Sequence, residues 1–285
     1  MARGPLVDAS GVPVILPAAP RRIVSLIPSI TEILFALGLD EAVAGCTVYC
    51  TQPPDKVATK VRVGGEKNPK LELIRELHAD LVVANIEENV RGHIETLREW
   101  GIPVFVTYPR TVADGIRLVR DLGEVTGAGE QGAALATDLA ARTAEVRTRL
   151  AGRRRARVFY PIWRNPYMTI NGDTYVHDML AQCGGENVFA AEPKRYPEVM
   201  LARLSEARPD VILLPDEPYR FRRVHQEDFA ALGDVPAVRE GRIHLVDGKL
   251  ASWYGPRIAD ALRVLPGLLA GSQAPLSPAR GRGSA

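Results

Sequence analysis

The sequence predicts an α/β fold with two α/β lobes on either side of one long helix, and three observations carry that reading. Short apolar strands alternate with amphipathic helices over residues 22–125 and again over 157–269. Such alternation implies parallel sheets covered on both faces. Between the two series, Glu130–Gly152 is Ala-rich and proline-free, with Leu135, Leu139, Val146 and Leu150 on one stripe. Finally, His78-Ala79-Asp80-Leu81-Val82-Val83 and Arg208-Pro209-Asp210-Val211-Ile212-Leu213 each place an Asp between a helix and a buried strand.

The elements follow in order. Leu6–Leu16 reads as a hairpin turning at Asp8-Ala9-Ser10-Gly11. Arg22–Leu26 is a buried strand, and Ser29 is expected to cap a helix to Leu37 in a capping box with Glu32. Val43–Cys46 is a strand and Leu71–Leu77 a short helix. Ala79–Ala84 and Val104–Val106 are strands; Val90–Trp100 and Val112–Val125 are helices. About 20 residues of the central stretch make a rod of about 30 Å, either one more layer helix or a span between lobes. In the second half, Arg157–Pro161, Asp210–Leu214 and Arg242–Val246 are strands. Thr174–Cys183, Pro197–Ala207, Val224–Leu232 and Pro256–Leu269 are helices. The expected divisions are a hairpin at 1–20, a lobe at 21–128, the helix at 129–153, a lobe at 154–271 and a disordered tail at 272–285.

Composition narrows the function. The chain has 285 residues, 46% hydrophobic and 25% charged, which are globular values. Its 36 basic and 34 acidic residues leave a net charge of +2, which argues against a nucleic-acid binder. No apolar run reaches the length of a membrane span. Three cysteines cannot frame a disulfide scaffold; Cys46 and Cys50 could pair only in an oxidising compartment. The apolar stretch Val12–Ala19 is broken by Pro13 and Pro17, so it reads as mature chain rather than a secretory leader.

Catalytic and cofactor signatures are missing from the sequence. It contains no Walker loop, no G-x-G-x-x-G and no G-x-S-x-G elbow. Gly64-Gly65 and Gly184-Gly185 read as turns and caps. His78, His93, His177, His225 and His244 are dispersed, so neither a metal centre nor a free-ion receptor is expected. What remains is a polar and aromatic set at strand ends and loops: Tyr49, Asn85, Tyr108, Trp163, Arg164, Tyr167, Tyr196 and Trp253-Tyr254. Ligands of open α/β sheets bind at the carboxyl ends of the strands, so this set predicts a cleft for a large ligand.

The chain resembles the helical-backbone substrate-binding proteins of ABC importers, the receptors for cobalamin, haem and iron-siderophores. The resemblance rests on Arg22–Glu32 (RIVSLIPSITE), Gln52-Pro53-Pro54, Val63-Gly64-Gly65 with Leu71-Glu72, and Ala79-Asp80-Leu81-Val82. It continues in Cys183–Phe189 (CGGENVF), Tyr196-Pro197-Glu198-Val199 and Pro256-Arg257-Ile258, and spans about residues 5–270. The CGGEN phrase leans toward the cobalamin branch. The resemblance implies two Rossmann-like lobes joined by one long rigid α-helix, a non-catalytic role, and a monomer working with an ABC permease and ATPase. It implies no intrinsic cofactor, with cobalamin, haem or a ferric siderophore as ligand. Position by position, the ligand contacts fall on Ser29, Tyr49, Glu66, Asn85, Trp163, Tyr196 and Trp253. Glu66 and Asn85 stand where the family's cobalamin receptors tend to carry tryptophan. Arg164 and Arg195 would suit an anionic ligand through paired hydrogen bonds. Permease docking maps to Glu72; its counterpart falls on Ala202, with Glu198 or Glu206 one turn away. The family places the protein in the periplasm or on the cell surface. The alternative is a cytoplasmic corrinoid- or metal-chelate-handling protein, a chaperone or chelatase-like enzyme on the same fold.

Overall fold

The computed structural model describes residues 6–270, so the expected tail at 272–285 lies outside the described residues. The hairpin pairs β1 (Leu6–Val7) with antiparallel β2 (Pro13–Val14). Asp8 anchors it: its carboxylate accepts from Ser10 N, Val12 N and Val106 N and meets Arg98 at 2.6 Å.

The first lobe runs β3 (Ile23–Ser25), α1 (Pro28–Ala36), β4 (Val43–Cys46), α2 (Pro54–Ala58) and β5 (Val61–Arg62). It continues α3 (Leu71–Glu76), β6 (Leu81–Asn85), α4 (Arg91–Glu99), β7 (Val104–Thr107) and α5 (Val112–Thr126). Its five strands are parallel, in the order β5-β4-β3-β6-β7. The chain leaves β3 toward one edge and returns to build the other, so the switch point sits at β3. All of β3 and β6 is buried, because both faces of the sheet are covered.

Next comes α6 (Gly129–Leu150), a helix of 22 residues. It buries Gly132, Ala136, Leu139 and Val146 on one face and packs against α5. The α5–α6 crossing is close: a Cβ on Gly123 would meet Ala128 O at 2.8 Å and Gly132 Cα at 2.9 Å. Only glycine permits that approach.

The second lobe runs β8 (Ala156–Phe159), α7 (Tyr175–Gln182), β9 (Gly185–Asn187), a 3₁₀ turn (Leu201–Arg203) and α8 (Leu204–Ala207). It ends with β10 (Val211–Pro215), a 3₁₀ segment (Arg223–Phe229), α9 (Pro236–Arg239), β11 (Ile243–Val246), α10 (Lys249–Ser252) and α11 (Arg257–Leu269). Its strands are parallel in the order β11-β10-β8-β9, with the switch point at β8. Both α7 and α11 pack on α6, so one helix supports both lobes.

The repeated phrase marks a repeated device. Asp80 accepts from Arg21 N and Arg22 N at 2.8 and 2.9 Å, and Asp80 N donates to Arg22 O. Asp210 accepts from Arg157 N at 2.8 Å, and Asp210 N donates to Arg157 O. The Arg22 side chain donates to Leu77 O, and that of Arg157 to Ala207 O. His78 and Arg208, at the matching positions, both have positive φ (49° and 42°).

Three local expectations are corrected. Ser29 is not an N-cap: Ile27 holds that position, Pro28 occupies the first turn, and Ser29 lies inside α1. Glu32 therefore makes no capping box and instead pairs with Arg257 at 2.9 Å. Pro197–Ala207 is not one helix. Residues 197–199 are extended because Thr169 N donates to Pro197 O and Val199 N to Tyr167 O, leaving helical turns only from Leu201. The expected helix over Val224–Leu232 is a 3₁₀ segment at Arg223–Phe229.

Candidate ligand-binding cleft

The two switch points decide which loops converge. The segments after β3, β4 and β6 carry Ser29, Tyr49 and Glu87 from the first lobe. Those after β8, β10 and β11 carry Trp163, Glu217 and Trp253 from the second.

The loop after β6 is shaped by its asparagines. Asn85 Oδ1 accepts from Glu87 N, and Asn85 Nδ2 donates to Thr107 Oγ1. Asn89 Oδ1 accepts from Asn85 N, and Asn89 Nδ2 donates to Glu66 O. Asn85 is thus a 2%-exposed positioning residue whose amide is already engaged. What the loop presents is Glu87. Its carboxylate accepts from Arg195 Nε at 2.6 Å, from Arg195 Nη2 at 3.2 Å and from Tyr196 Oη at 2.9 Å.

Further contacts join the lobes. Arg110 pairs with Asp173, Asp178 accepts from Val112 N at 2.7 Å, and Arg257 donates to Glu32 at 3.0 Å. The Tyr175 ring packs against Gly115 and lies edge-on to Tyr254 at 4.7 Å. These contacts fix the spacing of the lobes in this state.

The predicted site residues divide into two groups. Tyr49, Trp163 and Tyr196 expose 60%, 44% and 40% of their surface, near exposed Val48 and Ile86 in sequence. Trp163 lies edge-on to Tyr219 at 5.5 Å. These three have free ring surface to offer a flat ligand. Ser29, Asn85 and Trp253 are buried. Trp253 is 7% exposed, with Lys249 Nζ and the Arg257 guanidinium each 5.9 Å from its ring. Tyr167 belongs to the second lobe's core, stacked on Phe221.

The arginines do not wait for an anion. Arg164 holds Asp228 through bonds of 2.6 and 2.9 Å, and Tyr167 Oη donates to the same carboxylate. Arg195 is held by Glu87 and by Asp173, 2.8 Å away. Half-buried Glu66 behaves oppositely. Burial first, then the charges of Glu88, Cys50 and Glu217, push its carboxyl up to about 8. Burial also raises Glu217, which accepts from Ser252 Oγ at 3.1 Å. At neutral pH Glu66 is mostly a neutral hydrogen-bond donor.

Sequence reasoning passed over Glu87 and Glu217. Each stands just past a strand, at β6 and β10, where the strand-end rule already pointed. A separate cavity of about 420 Å³ is lined by Arg110, Thr111, Asp173, His177 and Asp178, among others, where the N-termini of α5 and α7 meet. None of the strand-end aromatics lines it. On the outer surface, Glu72 is exposed in the first turn of α3 and pairs with Arg75 at 2.5 Å. Glu72 precedes Asp80 by the same offset as Ala202 precedes Asp210, and Ala202 and Glu198 are both exposed.

Two parallel α/β lobes facing each other across strand-end loops, with one helix supporting both, define a bilobal binding protein. The chain belongs to the periplasmic binding protein family, which it matches over residues 23–250. Among its relatives is the vitamin B12-binding protein of Photorhabdus laumondii, 30% identical over 198 residues, 69% of this chain and 71% of that one. An uncharacterized ABC transporter substrate-binding lipoprotein, YvrC of Bacillus subtilis, is 27% identical over 90% of this chain and 82% of its own. Among solved structures, the periplasmic vitamin B12 binding protein BtuF of Vibrio cholerae superposes with a TM-score of 0.77 at 24% identity, covering 89% of this chain and 98% of that one. The periplasmic heme-binding protein RhuT from Roseiflexus superposes at 0.75 with 25% identity, covering 87% and 99%.

Proposed function

We propose that this chain is the non-catalytic substrate-binding protein of an ABC importer and takes cobalamin or a related metal chelate between its lobes. The observation that carries the reading is the exposed aromatic set, Tyr49, Trp163 and Tyr196, on strand-end loops of both lobes. A large flat macrocycle gains apolar contact from such rings without needing a charged anchor. Relatives named for vitamin B12 binding support the corrinoid over the other chelates.

The polar groups favour the same order. Arg164 and Arg195 are already paired with carboxylates, which argues against a carboxylate-bearing haem or an anionic siderophore. Protonated Glu66 can donate to an amide carbonyl of the kind a corrinoid periphery carries. The protein works outside the cytoplasmic membrane, in the periplasm or at the cell surface, as a monomer that docks on a permease–ATPase complex. Glu72 on one lobe and Glu198 on the other are the docking carboxylates.

Calorimetric titration with cyanocobalamin, haemin and a ferric catecholate siderophore tests the reading. Saturable one-to-one binding of cyanocobalamin, tighter than the other two, is the expected result. Binding of none of the three would end it.

A further inference from the structure

Arg195 of the second lobe heads a complete carboxylate-binding position, and a residue of the first lobe fills it. The Nη1 edge of its guanidinium is held within its own lobe, donating to Asp173 O and, at 2.8 Å, to the Asp173 carboxylate. The other edge, Nε and Nη2, donates to the two carboxylate oxygens of Glu87 at 2.6 and 3.2 Å. Tyr196 Oη donates to the first of those oxygens at 2.9 Å. The guanidinium carbon lies 5.5 Å from the Tyr108 ring and 5.7 Å from the Tyr196 ring. Two parallel N–H donors, a phenol donor and two flanking aromatic rings match a carboxylate carried by a flat ligand.

The fold keeps this position without the Glu87 side chain. The path of the loop after β6 is set by other atoms: Glu87 N donates to Asn85 Oδ1, and Asn89 joins Asn85 N to Glu66 O. Lys67 Nζ donates to Glu87 O, again a backbone atom. Arg195 keeps its orientation through Asp173, which Arg110 holds in turn. The spacing of the lobes has further holders in the Glu32–Arg257 pair and in Asp178 with Val112 N. The side chains of Arg195 and Glu87 are 19% and 22% exposed, so the position is shielded without being sealed.

We propose that Glu87 is a specificity-determining residue: its carboxylate stands in for a ligand carboxylate and keeps carboxylate-bearing macrocycles such as haem out of the cleft. This deepens the reading of the cleft as the ligand site and rests on it. An incoming carboxylate must displace Glu87 and leave that charge half-desolvated without its arginine. A macrocycle whose periphery carries neutral amides meets no such competitor. Once Glu87 is truncated, Arg195 Nε and Nη2 and Tyr196 Oη become an unpaired donor set that a propionate can take.

The test titrates haemin, and separately its dimethyl ester, which has no free carboxylate, into the full chain and follows Soret absorbance. The wild type is expected to bind haemin no more tightly than the ester. Glu87→Ala should bind haemin about tenfold or more tightly than the wild type does, the scale of a charge-assisted hydrogen bond. The ester should gain little. Glu87→Gln, which still accepts from Arg195, should show a smaller gain of the same kind, and Arg195→Met added to Glu87→Ala should erase the gain. Circular dichroism checks the fold of each variant, and if Glu87→Ala does not fold, Glu87→Gln carries the test. A wild type that already prefers haemin to the ester, an equal gain for the ester, a gain that survives Arg195→Met, or a folded Glu87 variant with no gain would overturn the proposal. A parallel titration with cyanocobalamin separates the two readings: no corrinoid binding together with the haemin gain would end the corrinoid assignment and leave the role of Glu87 standing.

Discussion

Arg195 of the second lobe grips Glu87 of the first through hydrogen bonds of 2.6 and 3.2 Å, and Tyr196 donates to the same carboxylate. The pair is largely shielded, with side-chain exposures of 19% and 22%. Breaking one partner therefore leaves a half-desolvated charge behind. Glu87→Gln and Arg195→Met should each lower stability, and the double variant should lose less than their sum. A coupling of about 1–2 kcal/mol is expected, measured by urea unfolding in a double-mutant cycle. Simple additivity would mean that the clasp does not hold in solution.

The α5–α6 crossing makes a sharper steric claim. A methyl at Gly123 collides with backbone atoms, Ala128 O at 2.8 Å, so relief requires a helix to move. Gly123→Ala should cost about 1–3 kcal/mol. Gly129, at the start of α6, has nothing within 4 Å of its Cβ position. Gly129→Ala should be neutral or stabilising by up to about 1 kcal/mol. Chemical denaturation of both variants checks the contrast, and equal effects would refute the packing argument.

Glu66 makes stability depend on pH in a defined direction. Its folded value near 8 lies above the ordinary 4.5, so the folded protein holds a proton that the unfolded chain gives up. Its contribution is fully present below the unfolded value and is lost as pH rises through the folded one. Stability should therefore fall across the window from about pH 4.5 to 8. Glu66→Gln, permanently neutral, should flatten that part of the curve in melting experiments. A wild-type curve identical to that of the variant would place Glu66 in water.

The architecture was legible because each buried strand and amphipathic helix announces itself locally. Asp80 and Asp210 even marked the repeat before their matching backbone bonds were visible. Two of the failures share one cause, a distant partner outweighing a local preference. Glu32 fits a capping box by spacing, yet it pairs with Arg257 from the far end of the chain. Residues 197–199 fit a helix, yet they pair with residues 167–169. The site suffered in the same way. Arg164 looked available for an anion until Asp228 appeared beside it, and no periodicity links those two positions.

The three tryptophans allow the cleft to be tested by its own fluorescence. Trp100 follows α4 and stacks under Arg75, on the element that carries Glu72 rather than on a strand-end loop. Trp253 is buried beside Arg257, and Trp163 keeps 44% of its surface open. A corrinoid between the lobes should quench Trp163 most, since the other two are further from free ring contact. Trp163→Phe should abolish most of the quenching by cyanocobalamin and weaken binding by about 1–2 kcal/mol, roughly 5- to 30-fold. Trp253→Phe should keep the quenching, because its ring is buried, but lower the melting temperature through lost core packing. Quenching that survives Trp163→Phe and disappears in Trp253→Phe would place the ligand elsewhere, deeper in the second lobe.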